Sequence, residues 1–499
     1  MDLNLLLDMV VSGYGDRTAV VDGGRSLTYA DLGTAAAAGA GLVRAAGADA
    51  FTYVAPNHLA FPVGLFSAAA AGVPFIPLNY RLSEDQLAPL AGQHADSVVV
   101  AEQVPVPGTR VERAYLPDAF LEAVAGGAES EPSSAGPDDV AVLLYTSGTT
   151  GTPKAAILRH RHLTAYVFGT VEFGGAGEDE AALVTVPPYH IAGLANLLSN
   201  LYAGRRIVYL DTFEPDRWLA TVREEGVTQA MVVPTMLARL VRHLAGRPAD
   251  VPTLRTLSYG GSRMPLPVLE EALLCFPSTG FVNAYGLTET SSTIALLGPE
   301  DHRAAFESED PAARARLTSV GRTLPGVEVE VRDEAGEVLG TGEAGEVFLR
   351  GEQVSGEYEG SSVLDEEGWF PTRDRGWVDE EGYLFIEGRA DDTIIRGGEN
   401  IAPAEIEDVL VKHPGVHDVA VVGLPDEEWG QRIAAVVCVE GEGLSAEELR
   451  DWARQHLRSS KTPDVVEFWA ELPRTHTGKL LRREVLATLT TERPADQGD

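Results

Sequence analysis

The sequence predicts an α/β fold with largely parallel sheets, then a small barrel-like region, then a second and smaller unit. Three observations carry this. The opening third alternates helical and strand patterns, which is the texture of helices packed on parallel strands. From Val327 short strands are separated by Gly- and acid-rich turns. After Arg389 helix and strand alternate again. The 499 residues exceed what one core sustains, so more than one domain is expected.

Each element follows from its own pattern. Residues 32–44 are Ala-rich with helical periodicity, and Phe51–Val54 is a short apolar strand. The apolar run 59–78 is interrupted by Pro62, Gly64, Gly72, Pro74 and Pro77, so it reads as a core helix followed by a strand and not as a membrane span. A strand at 97–100 comes next. The Gly/Ser/Pro/acid stretch 126–139 reads as a surface loop, and the apolar segment 140–145 as a strand. The charged segment 300–316 reads as one solvated helix. Strands are expected at 327–331 and 346–350, helices at 404–412 and 446–457, and a disordered tail at 491–499.

Composition narrows the function. The chain has 75 Asp+Glu against 39 Lys+Arg, a formal net charge of −36. Such a field attracts neither nucleic acid nor an anionic membrane. Only four of the cations are lysines: Lys154, Lys412, Lys461 and Lys479. A motif that demands a lysine and finds one here is therefore informative. Cys275 and Cys438 lie in apolar stretches without metal-type spacing and read as buried free thiols of a cytoplasmic protein. The start, MDLNLLLDMVVSGYGDR, lacks the basic opening of a signal peptide.

The strongest local signal is YTSGTTGTPK at 145–154, directly after the apolar strand. The hydroxyls of Thr146, Ser147, Thr149 and Thr150, with Gly148 and Gly151, make a turn rich in donors that can wrap a phosphate, and Lys154 adds a point charge. The Walker spacing is absent. A surface turn that binds nothing is the plainer alternative. The density of hydroxyls and the scarce lysine weigh against it.

The loop resembles the signature of the adenylate-forming superfamily, which holds acyl- and aryl-CoA synthetases, luciferases and peptide-synthetase adenylation domains. Companion motifs follow in that family's order: PPYH at 187–190, YGGS at 259–262, NAYGLTET at 283–290, TRD at 372–374, EGR at 387–389, RGGEN at 396–400 and PRTHTGK at 473–479. They span nearly the whole chain, which is identified as similar to the acyl-CoA synthetases. The resemblance implies a large N-terminal domain, 1–389, of two parallel-type β-sheets with flanking helices plus a small distorted β-barrel. It also implies a small mobile C-terminal α+β domain, 390–499, that carries the hinge and the catalytic lysine.

The resemblance also assigns roles. The phosphate loop and Lys154 would hold the β- and γ-phosphates of ATP. Thr288 would lie near the α-phosphate, and Glu289, with Thr146, near Mg²⁺. Tyr285 would stack on adenine beside Gly260, Gly261, Ser262, Ala284 and Gly286, with Asn283 on the adenine edge. Asp374 would accept from the ribose hydroxyls, and Arg389 would reach the same sugar. Arg373 replaces the usual glycine and is expected to point to solvent. Lys479 would bridge the acyl carboxylate and the α-phosphate of ATP. Asp391 matches the hinge, and Gly397 and Gly398 would line a tunnel for the pantetheine of coenzyme A. His190 would gate that tunnel or contact the acyl carbonyl. Lys461 is expected in a structural ion pair, and Lys412 as a helix C-terminal charge.

The expected activity is ATP-dependent ligation of a hydrophobic carboxylic acid to CoA through acyl-AMP. The alternative is a relative that runs one half-reaction, either thioesterification of a supplied acyl-adenylate or adenylation for an external carrier protein. The residues around the expected acyl pocket (Ile191, Ala192, Gly193, Leu194, Ala195 and Ile294) are small or apolar. Arg263 is the one nearby cation noted, so a fatty, carbocyclic or aryl monocarboxylate is favoured over a dicarboxylate. Homodimers are common among such relatives.

Overall fold

The computed structural model describes residues 1–126, 133, 135–146, 153–396, 399–426, 429–439, 441, 443–475 and 478–492. The expectations for Ser147, Gly148, Thr149, Thr150, Gly151, Gly397 and Gly398 lie outside these residues, as do half of the 126–139 loop and most of the 491–499 tail.

Two large sheets organise the chain up to Arg389. In an eight-stranded sheet Phe51–Val54 runs parallel to Phe75–Pro77 and to Val98–Ala101. Val140–Thr146 joins this sheet and returns antiparallel through Lys154–Arg159. In a nine-stranded sheet Ala181–Val184, Gln229–Val232, Thr256–Gly260 and Gly280–Leu287 are successive parallel neighbours. Ser292–Leu297 then pairs antiparallel to Gly280–Leu287. The largest core lies between the sheets. It buries helices Leu3–Tyr14, Tyr29–Ala45, Ala60–Ala71 and Ile191–Tyr202 against inward residues of both, such as Val184, Ile207, Phe51 and Val142. A second core covers the opposite face of the nine-stranded sheet with helices Pro215–Glu224, Pro234–Leu244 and Leu266–Cys275. The interrupted apolar run is thus a helix buried from Ala60 to Ala69 followed by a buried strand, Phe75–Pro77.

The barrel-like part is an antiparallel sheet of Glu328–Arg332, Gly345–Arg350, Phe370–Val378 and Leu384–Arg389. After Arg389 the chain builds its own sheet, with Val416–Asp426 antiparallel to Gly430–Val439 and Val465–Phe468 parallel to the latter. Its two cores draw only on residues beyond position 390, including Ile394, Ile406, Leu449, Cys438 and Leu472. The cluster expected as one helix at 300–316 is two, Pro299–Glu307 and Pro311–Ala315. Pro311 supplies no N–H to continue the first helix and instead starts the second, where Asp310 caps. Both cysteines are buried and free. Among the described residues no helix is long and apolar enough to cross a membrane.

Candidate active site

Asp374 is the hub of the site. It is 6% exposed, on the strand Phe370–Val378, directly across from Arg389. The Arg389 Nε lies 3.1 Å from Asp374 Oδ1, and the Tyr285 hydroxyl donates to Oδ2. The backbone is held as well. The Asp374 N–H donates to Thr372 Oγ1 (3.0 Å), which donates to the Val347 carbonyl (2.7 Å), and Arg389 Nη1 donates to the Thr372 carbonyl (2.8 Å). Burial raises the Asp374 carboxyl above the usual carboxylate range, and the Arg389 cation and the Tyr285 hydrogen bond oppose this. Burial and the neighbouring Asp374 anion push the Tyr285 phenol well up, so it remains a neutral donor. Each carboxylate oxygen still has a lone pair to spare, which is what a diol ligand requires.

Arg373, next to this hub, has φ +61° and a side chain 66% exposed, with its Nε 3.9 Å from Glu346 Oε1. It points to solvent, as expected. The left-handed backbone there is the physical reason a glycine suits the position.

Glu289 lies on the single 3₁₀ turn Thr288–Thr290 and is 9% exposed. Tyr358 donates its hydroxyl to the Glu289 carboxylate, and the Ser355 N–H donates to the Glu289 carbonyl at 2.8 Å. The Gln353 amide clamps the same turn by donating to the Thr290 (3.0 Å) and Thr293 (2.8 Å) carbonyls. Tyr358 is paired opposite Ala156, and the Lys154 ammonium stands 6.0 Å over its ring. Lys154 is the cross-strand partner of Thr146, whose hydroxyl donates to the Lys154 carbonyl at 3.3 Å. Thr146, Lys154, Tyr358 and Glu289 therefore form one continuous patch where the two strands that flank residues 147–153 begin and end. Among the described residues no three His, Cys, Asp or Glu side chains form a closed metal cage. A lone buried carboxylate with hydroxyls nearby fits Mg²⁺, a hard cation that keeps most of its waters and takes phosphate oxygens as its other ligands.

Lys479 reaches this region from the far end of the chain. Gly478 has φ +82°, and a Cβ there would meet the Thr235 side chain at 2.4 Å, so only glycine lets the turn seat against the helix Pro234–Leu244. Thr475 closes the turn, its N–H on the Lys479 carbonyl (2.8 Å) and its Oγ1 accepting from the Lys479 N–H (3.0 Å). The Lys479 pKa is lowered, first by desolvation and then by Arg389, while Asp374, Asp392 and Glu289 pull it up. The ammonium thus feels the hub and the Glu289 turn together, although the side chain keeps access to solvent.

The remaining expected residues are placed as follows. Gly260 is buried at the end of Thr256–Gly260, and a Cβ there would strike the Ala284 carbonyl at 2.3 Å. The neighbouring strand alone thus already requires the glycine. Gly261 (φ +86°) and Ser262 form the turn that follows. Asn283 donates its side-chain amide to the Ser319 carbonyl (3.1 Å), so its Nδ2 is committed to the fold. Gly286 lies at the bulge beside Tyr285. His190 stands at the N-cap position of the helix Ile191–Tyr202, its ring 4.5 Å from that of Tyr189. Asp391 is exposed on the short turn Ala390–Asp392 just past Arg389. Lys461 pairs with Glu405 at 2.6 Å, the structural ion pair expected.

Residues 7–359 match the AMP-binding enzyme family and residues 405–479 the AMP-binding enzyme C-terminal domain. The chain belongs to the AMP-binding enzyme family. Feruloyl-CoA synthase of an Amycolatopsis species is 36% identical over 482 residues, covering 94% of this chain and 95% of the relative. A fatty acid–[acyl-carrier-protein] ligase of Streptomyces coeruleorubidus is 34% identical over 493 residues, covering 94% and 92%. Among solved structures, ATP-bound MatB from Rhodopseudomonas palustris superposes with a TM-score of 0.86 at 27% identity, covering 98% of this chain and 99% of that one. Within the AMP-binding family this chain is of the acyl/aryl-CoA synthetase kind, an AMP-forming acid–thiol ligase that works through an acyl-adenylate.

Several residues of this AMP-binding enzyme site escaped the sequence reading. Tyr358, Gln353 and Ser355 fix the Glu289 turn, yet their only local signal is an aromatic in a short acidic turn. His302 accepts from the buried Tyr259 hydroxyl at Nε2 (2.8 Å) while its Nδ1 faces the Gly298 carbonyl (2.8 Å). A carbonyl can only accept, so Nδ1 carries a proton, and burial disfavours a second one on Nε2. Burial accordingly pushes His302 down to about 4. Arg263, noted as a cation for a second carboxylate, pairs instead with Asp408 of the C-terminal unit.

Proposed function

We propose that this ligase activates a hydrophobic monocarboxylic acid, whether fatty, carbocyclic or aryl, and delivers it to soluble CoA, running both half-reactions. The observation that carries this reading is the seating of Gly478 on Thr235, which brings the Lys479 ammonium into the field of Asp374, Arg389 and Glu289. In the first step a carboxylate oxygen of the acid attacks the α-phosphorus of ATP, the bond to pyrophosphate breaks, and acyl-AMP forms. Two anions approach one another, and Lys479 neutralises both while Thr288 stands beside the phosphate. Lys154, Thr146 and the 147–151 loop hold the leaving pyrophosphate. Asp374 and Arg389 hold the ribose, while Tyr285, Gly260, Gly261 and Ala284 frame adenine. Mg²⁺ bound at Glu289 with ATP would offset phosphate charge.

In the second step the CoA sulfur attacks the acyl carbonyl, its proton leaves to solvent, and AMP departs. We divide the chain at 389/390 and assign Asp391 as the hinge about which 390–499 turns. This turn would withdraw Lys479 and bring in Gly397 and Gly398 to line a tunnel for pantetheine, with His190 gating that tunnel or contacting the acyl carbonyl. Consumption of Arg263 by Asp408 supports a monocarboxylate, since that cation is not left to bind a second acid group. Two buried free thiols suit the cytoplasm, where thiols stay reduced. ATP–pyrophosphate exchange with a panel of acids tests the first step, and exchange with none would refute it. Synthetic acyl-adenylate plus CoA tests the second. Thioester formed from adenylate but not from acid and ATP would reduce the enzyme to the transfer step.

A further inference from the structure

The strand Val140–Thr146 is unevenly supported along its length. At residues 144–146 it is paired on one side, where Ala156, Ala155 and Lys154 lie opposite. On the other side the short strand Phe75–Pro77 joins it through Phe75 opposite Val142, and Pro77 ends that strand without an N–H to offer. A strand end with a single neighbour has few hydrogen bonds to hold it and opens more readily than one paired on both sides.

A side chain supplies the second attachment. Leu143 and Tyr145 face the small core that Leu87, Leu90 and Ala91 of the helix Glu84–Gly92 help to build. The Tyr145 phenol reaches the end of that helix. It donates to Gln93 Oε1 at 3.0 Å, and His94 Nε2 lies 2.9 Å from its oxygen. A phenol has one proton to give, so with Gln93 as its acceptor the His94 ring is the second donor and carries its proton on Nε2. Burial and the Glu359 anion push the phenol up to about 12, which keeps it neutral. The His94 and Tyr145 rings meet edge-on, with centroids 6.2 Å apart.

The anchor is itself fixed in the sheet. The His94 N–H donates to the Ala91 carbonyl (3.0 Å), and the His94 carbonyl accepts from the Ser97 N–H (3.0 Å). Ser97 is buried, and its Oγ accepts from the Thr52 hydroxyl (2.9 Å) on Phe51–Val54, an interior strand of the eight-stranded sheet. On the far side the Ala155 carbonyl, opposite Tyr145, accepts from the Glu359 N–H at 3.2 Å. Tyr145 is thus pinned from two directions, one residue before Thr146.

We infer that Gln93 and His94 are positioning residues for the triphosphate of ATP: through the Tyr145 phenol they fix the place at which Val140–Thr146 presents Thr146. This rests on the ligase reading above, in which Thr146, Lys154 and residues 147–151 hold the β- and γ-phosphates. The clamp then acts on one end of the nucleotide only. In the same reading Asp374, Arg389 and Tyr285 hold the nucleoside from other strands. AMP, which lacks the β- and γ-phosphates, gains little from the clamp. Acyl transfer from a preformed adenylate gains equally little, since pyrophosphate has already left.

The test is calorimetry of the full chain with ATP in the presence of Mg²⁺ and, separately, with AMP. Tyr145→Phe keeps the ring and removes the hydroxyl. It is expected to weaken ATP about three- to ten-fold while AMP stays within about two-fold. His94→Ala is expected to show the same selective loss at smaller size, and His94→Gln, which keeps an N–H to give, to recover part of it. In steady state the KM for ATP should rise more than kcat falls, with thioester formation from a supplied acyl-adenylate unchanged. An unchanged ATP-to-AMP affinity ratio in Tyr145→Phe or His94→Ala, whether both affinities hold or both fall together, overturns the inference. Wild type that binds neither nucleotide refutes the ligase reading, and the inference with it.

Discussion

The Asp374 hub and the Lys479 turn are held in opposite ways. Asp374, Arg389, Tyr285 and Thr372 lock one another through hydrogen bonds and an ion pair that are largely buried, on strands of the larger unit. Lys479 is presented by a unit with its own cores, which meets the larger one through exposed polar contacts. They include Arg263 with Asp408 and Arg242 Nη2 with His417 (3.1 Å), beside the packing of the buried Gly478 on Thr235. Exposed ion pairs contribute roughly 0–1 kcal/mol each, whereas breaking a buried charged hydrogen bond costs about 1.5–3. On the proposed roles, the nucleotide-binding half would be preorganised in the fold, while the cation proposed to activate the acid would be delivered by a piece held through few exposed ion pairs.

The largest effect is expected at the hub. Asp374→Ala removes the partner of both Arg389 and Tyr285, and ATP affinity by calorimetry is expected to fall about 10–100-fold with little change in acid binding. A drop below three-fold would show that the hub is not the nucleoside anchor.

Acid should reach the larger unit first. His160, His162 and His302 all lie in it, buried, each with a ring nitrogen accepting a backbone N–H or a phenol. Burial lowers all three, His162 and His302 to about 4. A depressed folded pKa means stability that is full above the ordinary value of 6.5 and is lost as pH falls through about 4. His302→Phe should flatten that acid limb in pH-dependent thermal melts by roughly 2–3 kcal/mol. An acid limb identical to wild type would mean that His302 does not titrate there.

Arg373→Gly acts beside the hub in the opposite direction. It relieves a left-handed arginine beside the hub, and is expected to raise stability by about 1 kcal/mol in denaturant melts without weakening ATP binding. Loss of ATP affinity would instead give the arginine a nucleotide role. The smallest effect is expected at the interface. Arg263→Ala should cost less than about 1 kcal/mol of stability, yet slow acid activation more than transfer from a supplied adenylate, because it loosens the Lys479 arrangement. An equal slowing of both would contradict that.

The sequence was most legible where chemistry demands scarce residue types in fixed order. Lys154 and Lys479 stand out among four lysines, and both meet the Glu289 region in space. Lys461 was legible as structural, and Glu405 proves to be its partner. The single helix expected at 300–316 failed at Pro311, a local breaker outweighed by the run of charge around it. Tyr358 with Glu289 and Arg263 with Asp408 were not legible, because their partners are 69 and 145 residues apart and no local pattern encodes such pairings. Gly260 was legible as necessary, but the neighbour that requires it is a strand carbonyl of Ala284.

The most direct measurement separates the two half-reactions in Lys479→Ala. A preorganised nucleotide half with a delivered cation predicts that ATP binding persists, that acyl-adenylate formation falls about 10²–10³-fold, and that thioester formation from a supplied acyl-adenylate and CoA proceeds near the wild-type rate. Equal loss of both half-reactions, or loss of neither, would contradict it.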